Sequence, residues 1–202
     1  MSTRTLPLPA VFCALVVMAC SAEAAKPTQT SEKKPVTMPA KTETAILAGG
    51  CFWGMEEILR AAPGVLDIEA GYTGGWLENP KYDDTHDSKS GHAEAIKVIY
   101  DPTKITFSQI LDDWFFRMHD PTTLNRQGND DGTQYRSAIF YVDEAQKKLA
   151  EQAKAKAAAS GRWKKPIVTT LEAFSKWWPA EGYHQDYLQK HPGGYTCHWM
   201  RP

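Results

Sequence analysis

The stretch TAILAGGCFWGMEE, residues 44–57, contains the turn on which the fold is built. Residues 44–49 are small or apolar without a break, which marks a buried strand. Residues 51–61 then read as a helix ended by Pro63-Gly64, since proline cannot continue a helix and glycine favours the turn beyond it. A second strand runs from Val65 to about Tyr72, with Ile68 and Ala70 in alternation. Together these segments make a β-α-β unit. At its first turn stands a lone thiol, Cys51, with two aromatics directly behind it and Glu56 and Glu57 a little over a helical turn further on.

Working outward, Thr73 to Ser90 is a polar, glycine-containing loop, and AEAIKVIYD (93–101) is a strand with Ile96, Val98 and Tyr100 on one face. In TFSQILDDWFFRMH (106–119), Phe107, Ile110, Leu111, Trp114, Phe115 and Met118 recur at helical spacing, and Thr106 with Gln109 has the form of a capping box. YRSAIFYV (135–142) is a further strand, residues 143–160 an Ala/Lys-rich surface helix stopped by Gly161, and IVTTLEA (167–173) the last strand. The order β-α-β, β-α-β with a helix and a strand appended predicts an α/β (α+β) chain. Its expected architecture is a ferredoxin-like two-layer sandwich with a long irregular C-terminal segment.

With 202 residues, 42% hydrophobic and 23% charged, the chain has the composition of one soluble globular domain plus a processed leader. The formal net charge of −1 and the lack of a basic block exclude a general pull toward nucleic acid or an acidic membrane face. A small or peptide-like substrate fits this balance. Residues 1–25 hold Arg4, an apolar run from Val11 to Ala19 too short to span a bilayer, and then small residues, as in an export signal. Two processing routes fit: an Ala-x-Ala cut near Ala22 to Ala25, or lipid attachment at Cys20, since Val17-Met18-Ala19-Cys20 resembles a bacterial lipobox with an unusual Met. Residues 26–42, rich in Pro, Thr and Lys, read as a flexible tether, and the folded domain is expected over residues 43–202. The expected location is a bacterial periplasm or cell envelope, with membrane anchoring by lipid at Cys20 under the second route.

The leader takes Cys13 and Cys20 with it, leaving Cys51 and Cys197 as the thiols of the domain. In an oxidising compartment, two thiols read first as a structural disulfide. The local context of Cys51 points to chemistry instead. A cysteine at the first turn of a helix meets the positive end of the macrodipole and free backbone N–H groups, which bring a thiol from about 8.5 down to about 3.5–7.5. Gly49 and Gly50 permit close backbone approach there. The plain alternative is a small buried hydrophobe, as most lone cysteines are. Phe52 and Trp53 point about 100 degrees apart on a helix, so both cannot lie on one core stripe. At least one is expected to flank the thiol as an apolar wall that holds a methyl or methylene group; otherwise Trp53 is a core anchor.

Six motifs then occur in order: GCFWGMEE (50–57), GYTGG (71–75), NPKYDD (79–84), GHAEAIKVIYDP (91–102), QGNDDGTQYRSAIFY (127–141) and HQDYLQKHPGGYTCH (184–198). They resemble the successive signatures of the A-type peptide methionine sulfoxide reductases, over about residues 44–199. The resemblance implies that Cys51 is the nucleophile and that Glu94 is the acid, its pKa raised by burial. Tyr82 and Tyr135 would donate hydrogen bonds to the sulfoxide oxygen, with Asp130 a polar residue of the same pocket. Cys197 would be the resolving cysteine, in a Gly-rich tail mobile enough to swing in and condense with a Cys51 sulfenic acid. It further implies methionine sulfoxide (S epimer, free or in proteins) as substrate, a thioredoxin-like external reductant, and neither prosthetic cofactor nor metal. A monomer is expected. Without the resemblance, Glu94 reads as a surface glutamate and Tyr135 as a strand residue packing on the core. Ser88-Lys89-Ser90-Gly91-His92 departs from the family's Gly-x-Thr-Gly-His run, so a shifted substrate preference with intact chemistry is expected.

Two other classes of function stand beside this one. A cysteine hydrolase or acyl transferase would pair Cys51 with His92 or His184. A non-catalytic envelope protein would use Cys51–Cys197 as a permanent staple. Metal binding ranks lower, because the histidines show no ligand-pair spacing with the cysteines beyond adjacent Cys197-His198. Covalent haem would need a cysteine where Gly194 stands.

Overall fold

In the computed structural model, which describes residues 41–202, β1 (Glu43–Gly49), α1 (Phe52–Arg60) and β2 (Val65–Thr73) follow the expected β-α-β order. The expected leader, Cys20 and the expected tether as far as residue 40 lie outside the described residues. The stretch 73–90, expected as a loop, contains one short helix, α2 (Tyr82–His86). β3 (Ala93–Tyr100) returns between β1 and β2, antiparallel to both, with Leu47 opposite Ile96 on one side and Tyr72 opposite Glu94 on the other.

The helix expected over 106–119 forms, with the predicted capping box at Thr106 and Gln109, but it is not α-helical throughout. α3 (Phe107–Gln109) widens into a π-helical turn, Ile110–Phe115, and closes as α4 (Phe116–Met118). The wider turn has a packing consequence. Adjacent Phe115 and Phe116 are both buried, together with Ile110 and Leu111 five residues earlier, whereas an α-helical stripe would have buried Trp114 in place of Phe116.

A small hairpin, β4 (Arg126–Gln127) with β5 (Asp130–Asp131), precedes β6 (Ser137–Tyr141). β6 pairs antiparallel with the free edge of β1, so the order β6-β1-β3-β2 is the split β-α-β arrangement of a ferredoxin-like sheet. α5 (Glu144–Ala159), capped by Asp143, crosses over to β7 (Thr170–Ala173), which is parallel to β6. The 167–173 segment is not the last strand: β8 (Trp178–Pro179) adds antiparallel to β2, giving the order β7-β6-β1-β3-β2-β8. A single turn, α6 (Tyr187–Lys190), follows.

The helices cover one face of the sheet, where Leu47, Met55, Leu59, Ile96, Val98 and Phe115 form the main core. The opposite face is lined by smaller residues, Ile46, Ala48, Ala93, Ala95 and Ala138 with Phe140, and is covered by Phe174 and Trp177 of the irregular C-terminal segment. This explains why β1 reads as unbroken apolar residues rather than as an alternation: both of its faces are covered.

β1 and β6 pair only from Ile46–Phe140 onward. Beyond that point the side chain of Gln146 stands in for the missing ladder. Its Nε2 donates to the Thr44 carbonyl at 2.7 Å and its Oε1 accepts from the Val142 amide at 3.2 Å. Gln146→Ala would strand both backbone groups, and we expect a loss of about 1–3 kcal/mol, read as a lower urea midpoint at unchanged m-value.

Candidate active site

The first turn of α1 and the middle of the sheet meet at one point. Gly50, at φ +109, turns the chain off β1, and Cys51 takes the N-cap position of α1. The turn needs glycine on two grounds: the left-handed φ, and the Gln127 side chain, which a Cβ at Gly50 would meet at 2.5 Å. Beneath the turn, Glu94 lies on the same face of β3 as Ile96 and Val98, and its Oε2 accepts the Phe52 amide at 3.2 Å. An orphan N–H of the helix is thereby satisfied by a buried carboxyl. A cavity of about 190 Å³ opens here, lined by Cys51, Phe52, Trp53, Tyr82, Glu94, Asp130 and Tyr135, together with His86 and Tyr195. Every candidate site residue except Cys197 faces this cavity, and Cys197 lies directly behind Asp130.

Burial dominates the electrostatics. Glu94 is 2% exposed, and desolvation raises its pKa to about 8 against the opposing Phe52 hydrogen bond, with the Asp130 charge adding to the rise. Its carboxyl therefore carries a proton at neutral pH. Cys51 runs contrary to expectation. Desolvation, then the Glu94 charge, push its thiol well above the ordinary range, and the Trp53 amide hydrogen bond only partly offsets them. The helix terminus contributes the lowering that was anticipated, but the thiol is 7% exposed, and a site that excludes water penalises the thiolate more than one hydrogen bond stabilises it.

The two aromatics behind the thiol divide as their angular separation requires. Phe52 is fully buried against Tyr72 and His184 and forms the pocket floor. Trp53 stays half-buried as the pocket wall, stacked on Tyr187 at 3.7 Å with its Nε1 donating to His184 Nδ1 at 3.0 Å. Glu56 explains part of the glutamate pair: buried on α1, it accepts the Asp186 amide at 3.0 Å and the Arg60 guanidinium at 3.0 Å, which ties the 184–190 turn to the helix. Tyr82 begins α2, its amide donating to Glu181 at 3.0 Å, and burial raises its phenol. Tyr135 is not a strand residue. It ends a 3₁₀ turn, Thr133–Tyr135, just before β6, and burial followed by the Glu94 charge raises its phenol above the ordinary range. Both phenols thus remain protonated donors.

Cys197 is more confined than a mobile tail would be. It is 8% exposed, its Sγ donates to Asp130 Oδ2 at 3.2 Å, and its carbonyl accepts from Gln127 Nε2 at 2.8 Å. Burial, then Asp130, push its thiol up to about 12. The segment packs on α1 because Gly54 has no Cβ; one built there would strike Thr196 and His198. Both cysteines are free thiols, so the structure holds no Cys51–Cys197 staple.

The histidines of the hydrolase reading are engaged elsewhere. His92 accepts from the Gly75 amide and bonds the Leu77 carbonyl, bracing the 75–92 loop, while His184 holds Trp53. Within the divergent loop, Ser88 adopts φ +61 and its hydroxyl donates to Gln134 at 2.5 Å. Residue pattern alone does not place Tyr195, whose hydroxyl donates to Asp130 at 2.9 Å, or Tyr187 at the site; it offers His184 only as a hydrolase partner of Cys51 and His198 only as a metal ligand beside Cys197. All four stand in the sixth motif, residues 184–198.

A redox site built on two thiols and a buried acid is what fold and pocket define, and the comparisons agree. The pattern of the family described as "Peptide methionine sulfoxide reductase" matches residues 43–202. Peptide methionine sulfoxide reductase MsrA of Streptomyces avermitilis is 51% identical over 165 residues, covering 82% of this chain and 94% of the relative. Mxr1 from Saccharomyces cerevisiae in reduced form superimposes with a TM-score of 0.74 at 38% identity, covering 82% of this chain and 95% of that one. Mxr1 in complex with Trx2 superimposes with a TM-score of 0.54 at 28% identity, covering 84% and 97%. The chain belongs to the peptide methionine sulfoxide reductase family.

The raised Glu94 pKa has a thermodynamic sign. Between the unfolded value near 4.5 and the folded value of about 8, the native state holds a proton that the unfolded state has lost, so stability falls as pH rises. Relative to Glu94→Gln, the wild type should lose up to about 1.4 kcal/mol per pH unit across that window and level off above it. Parallel urea titrations of the two proteins at several pH values measure this difference.

Proposed function

We propose that this chain reduces methionine sulfoxide with Cys51 as nucleophile, Glu94 as acid and Cys197 as resolving thiol. One observation carries the reading: a protonated carboxyl, a thiol and two phenols converge on one small, apolar-walled cavity at the N-terminus of α1. Reduction of a sulfoxide requires attack on sulfur while its oxygen gains a proton, so nucleophile and acid must share a site. Phe52 and Trp53 receive the methyl and methylene groups, and Tyr82 and Tyr135 donate to the oxygen. Attack by the Cys51 sulfur transfers the oxygen, leaving methionine and a Cys51 sulfenic acid. Cys197 then condenses with that acid, releasing water and forming a disulfide. Holding the Glu94 proton until attack keeps the carboxylate charge, the second cause of the raised Cys51 thiol, out of the site while the sulfur approaches the sulfoxide.

A thioredoxin-like protein would return the disulfide to thiols, a reading supported by the similarity to Mxr1, which is known in complex with Trx2. The S epimer as substrate rests on family membership. Residues 1–25 point to export and to repair of oxidised envelope proteins, with lipid at Cys20 or cleavage near Ala22 to Ala25 as the processing routes. Mass spectrometry of the N-terminus of the envelope-purified protein distinguishes them.

Glu94→Gln preserves shape but cannot deliver a proton. Single-turnover methionine formation should slow by roughly 10² to 10⁴, with sulfoxide binding little changed; a rate within a few-fold of wild type would move the acid role to a tyrosine. Cys197→Ser should form about one equivalent of methionine per enzyme and then stall with Cys51 oxidised, while thioredoxin-supported turnover collapses. A folded Cys197→Ser protein giving no burst would remove Cys197 from the cycle.

A further inference from the structure

The residue after the resolving cysteine is placed with more care than a tail anchor needs. His198 is 6% exposed, and its ring lies on a floor of glycines: a Cβ at Gly50 would meet its Cε1 at 3.1 Å, and one at Gly54 its Nδ1 at 2.7 Å. Its Nε2 stands 2.8 Å from the Gly49 carbonyl oxygen. A carbonyl only accepts, so the proton of the neutral ring is on Nε2 and Nδ1 presents a lone pair. That lone pair faces Cys197 Sγ at 3.5 Å. The tautomer is therefore set by the backbone two residues before the nucleophile, and the free nitrogen points at the second thiol.

We infer that His198 is the catalytic base that takes the Cys197 proton as this thiol attacks the Cys51 sulfenic acid. The inference rests on the proposed roles of Cys51 and Cys197. In this step the S–S bond forms and the S–O bond of the sulfenic acid breaks. The thiol proton passes to His198 Nδ1, the departing hydroxide takes a proton from the Glu94 carboxyl, and water leaves. The imidazolium then releases its proton to solvent and Glu94 regains one, so charge and atoms balance and no outside oxidant is needed. Burial, ahead of the opposing Gly49 hydrogen bond, holds the His198 pKa at about 4, which keeps Nδ1 unprotonated at neutral pH. The charged and titratable groups around the ring are Asp130, which stabilises an imidazolium, Arg201 and His119, which disfavour it, and the Cys197 thiol. Asp130 Oδ2 is the rival acceptor. It accepts the thiol S–H in the resting state, but its other oxygen is engaged by Tyr195.

The test follows both halves of a single turnover in pre-reduced enzyme given methionine sulfoxide without reductant. Methionine is counted for the first half. Trappable sulfenic acid against disulfide is counted for the second. In the wild type, disulfide formation should be nearly flat between about pH 5.5 and 7.5. In His198→Gln and His198→Asn, methionine should form to completion while disulfide formation slows roughly 10²-fold and rises about tenfold per pH unit, as for a thiol that must ionise unaided. A merely structural role would not create that slope. Wild-type disulfide kinetics in both variants, the slope appearing in Asp130→Asn instead, or a tenfold slope already in the wild type would each overturn the assignment. Absence of the methionine burst in the wild type would overturn the roles of Cys51 and Cys197 beneath it.

Discussion

The hydrogen bond from the Phe52 amide to the Glu94 carboxyl joins the N-terminus of α1 to the central strand, and the pocket exists only where the two meet. Its geometry depends on register. Tyr72 must lie opposite Glu94 for the acid to face the helices rather than Phe174 and Trp177 on the other side. A one-residue slip of β3 would exchange Glu94 for an alanine, because side chains alternate between faces. The sheet is thus what places a carboxyl, normally a surface group, under a helix end where one amide partner compensates part of its desolvation.

The remaining walls come from segments that have little structure of their own. The 182–198 region holds one short helical turn, yet it supplies His184, Tyr187, Tyr195, Cys197 and His198 to the site or its rim. Side-chain clamps fix it in place: Glu56 on the Asp186 amide, Gln185 bridging to Ala70, and His198 on Gly49. After Cys197 the chain is zipped to the end of α4, with the Arg201 amide donating to the Arg117 carbonyl at 3.0 Å. The Cys197 thiol is consequently presented at a defined distance from the pocket by backbone held on both sides.

Burial also sets the charge state of the resting site. Desolvation raises Cys51, Glu94 and Cys197 and lowers His198, and in each case the neutral form is the one favoured at pH 7. A pocket whose thiol and acid are uncharged receives a methyl thioether oxide more readily than one with both ionised, because the ligand offers a dipole and carbon surface but no compensating charge.

The β-α-β frame, the main strands and the capping box at Thr106 were legible from residue pattern, because a buried strand and a capped amphipathic helix follow from short-range periodicity. The six motifs likewise pointed to Cys51, Phe52, Trp53, Tyr82, Glu94, Asp130 and Tyr135, which line the cavity, but not to His86 or the role of Tyr195. Three features were decided only by tertiary structure. The π-helical turn at Ile110–Phe115 follows from core packing that buries two adjacent phenylalanines, which no local propensity encodes. The thiol of Cys51 is raised rather than lowered, because a helix terminus is a local property while desolvation depends on what the rest of the chain places over it. His198 follows Cys197 in sequence, but the tautomer that gives it a lone pair toward the sulfur is imposed by a carbonyl at Gly49, and only folding brings that oxygen to the ring.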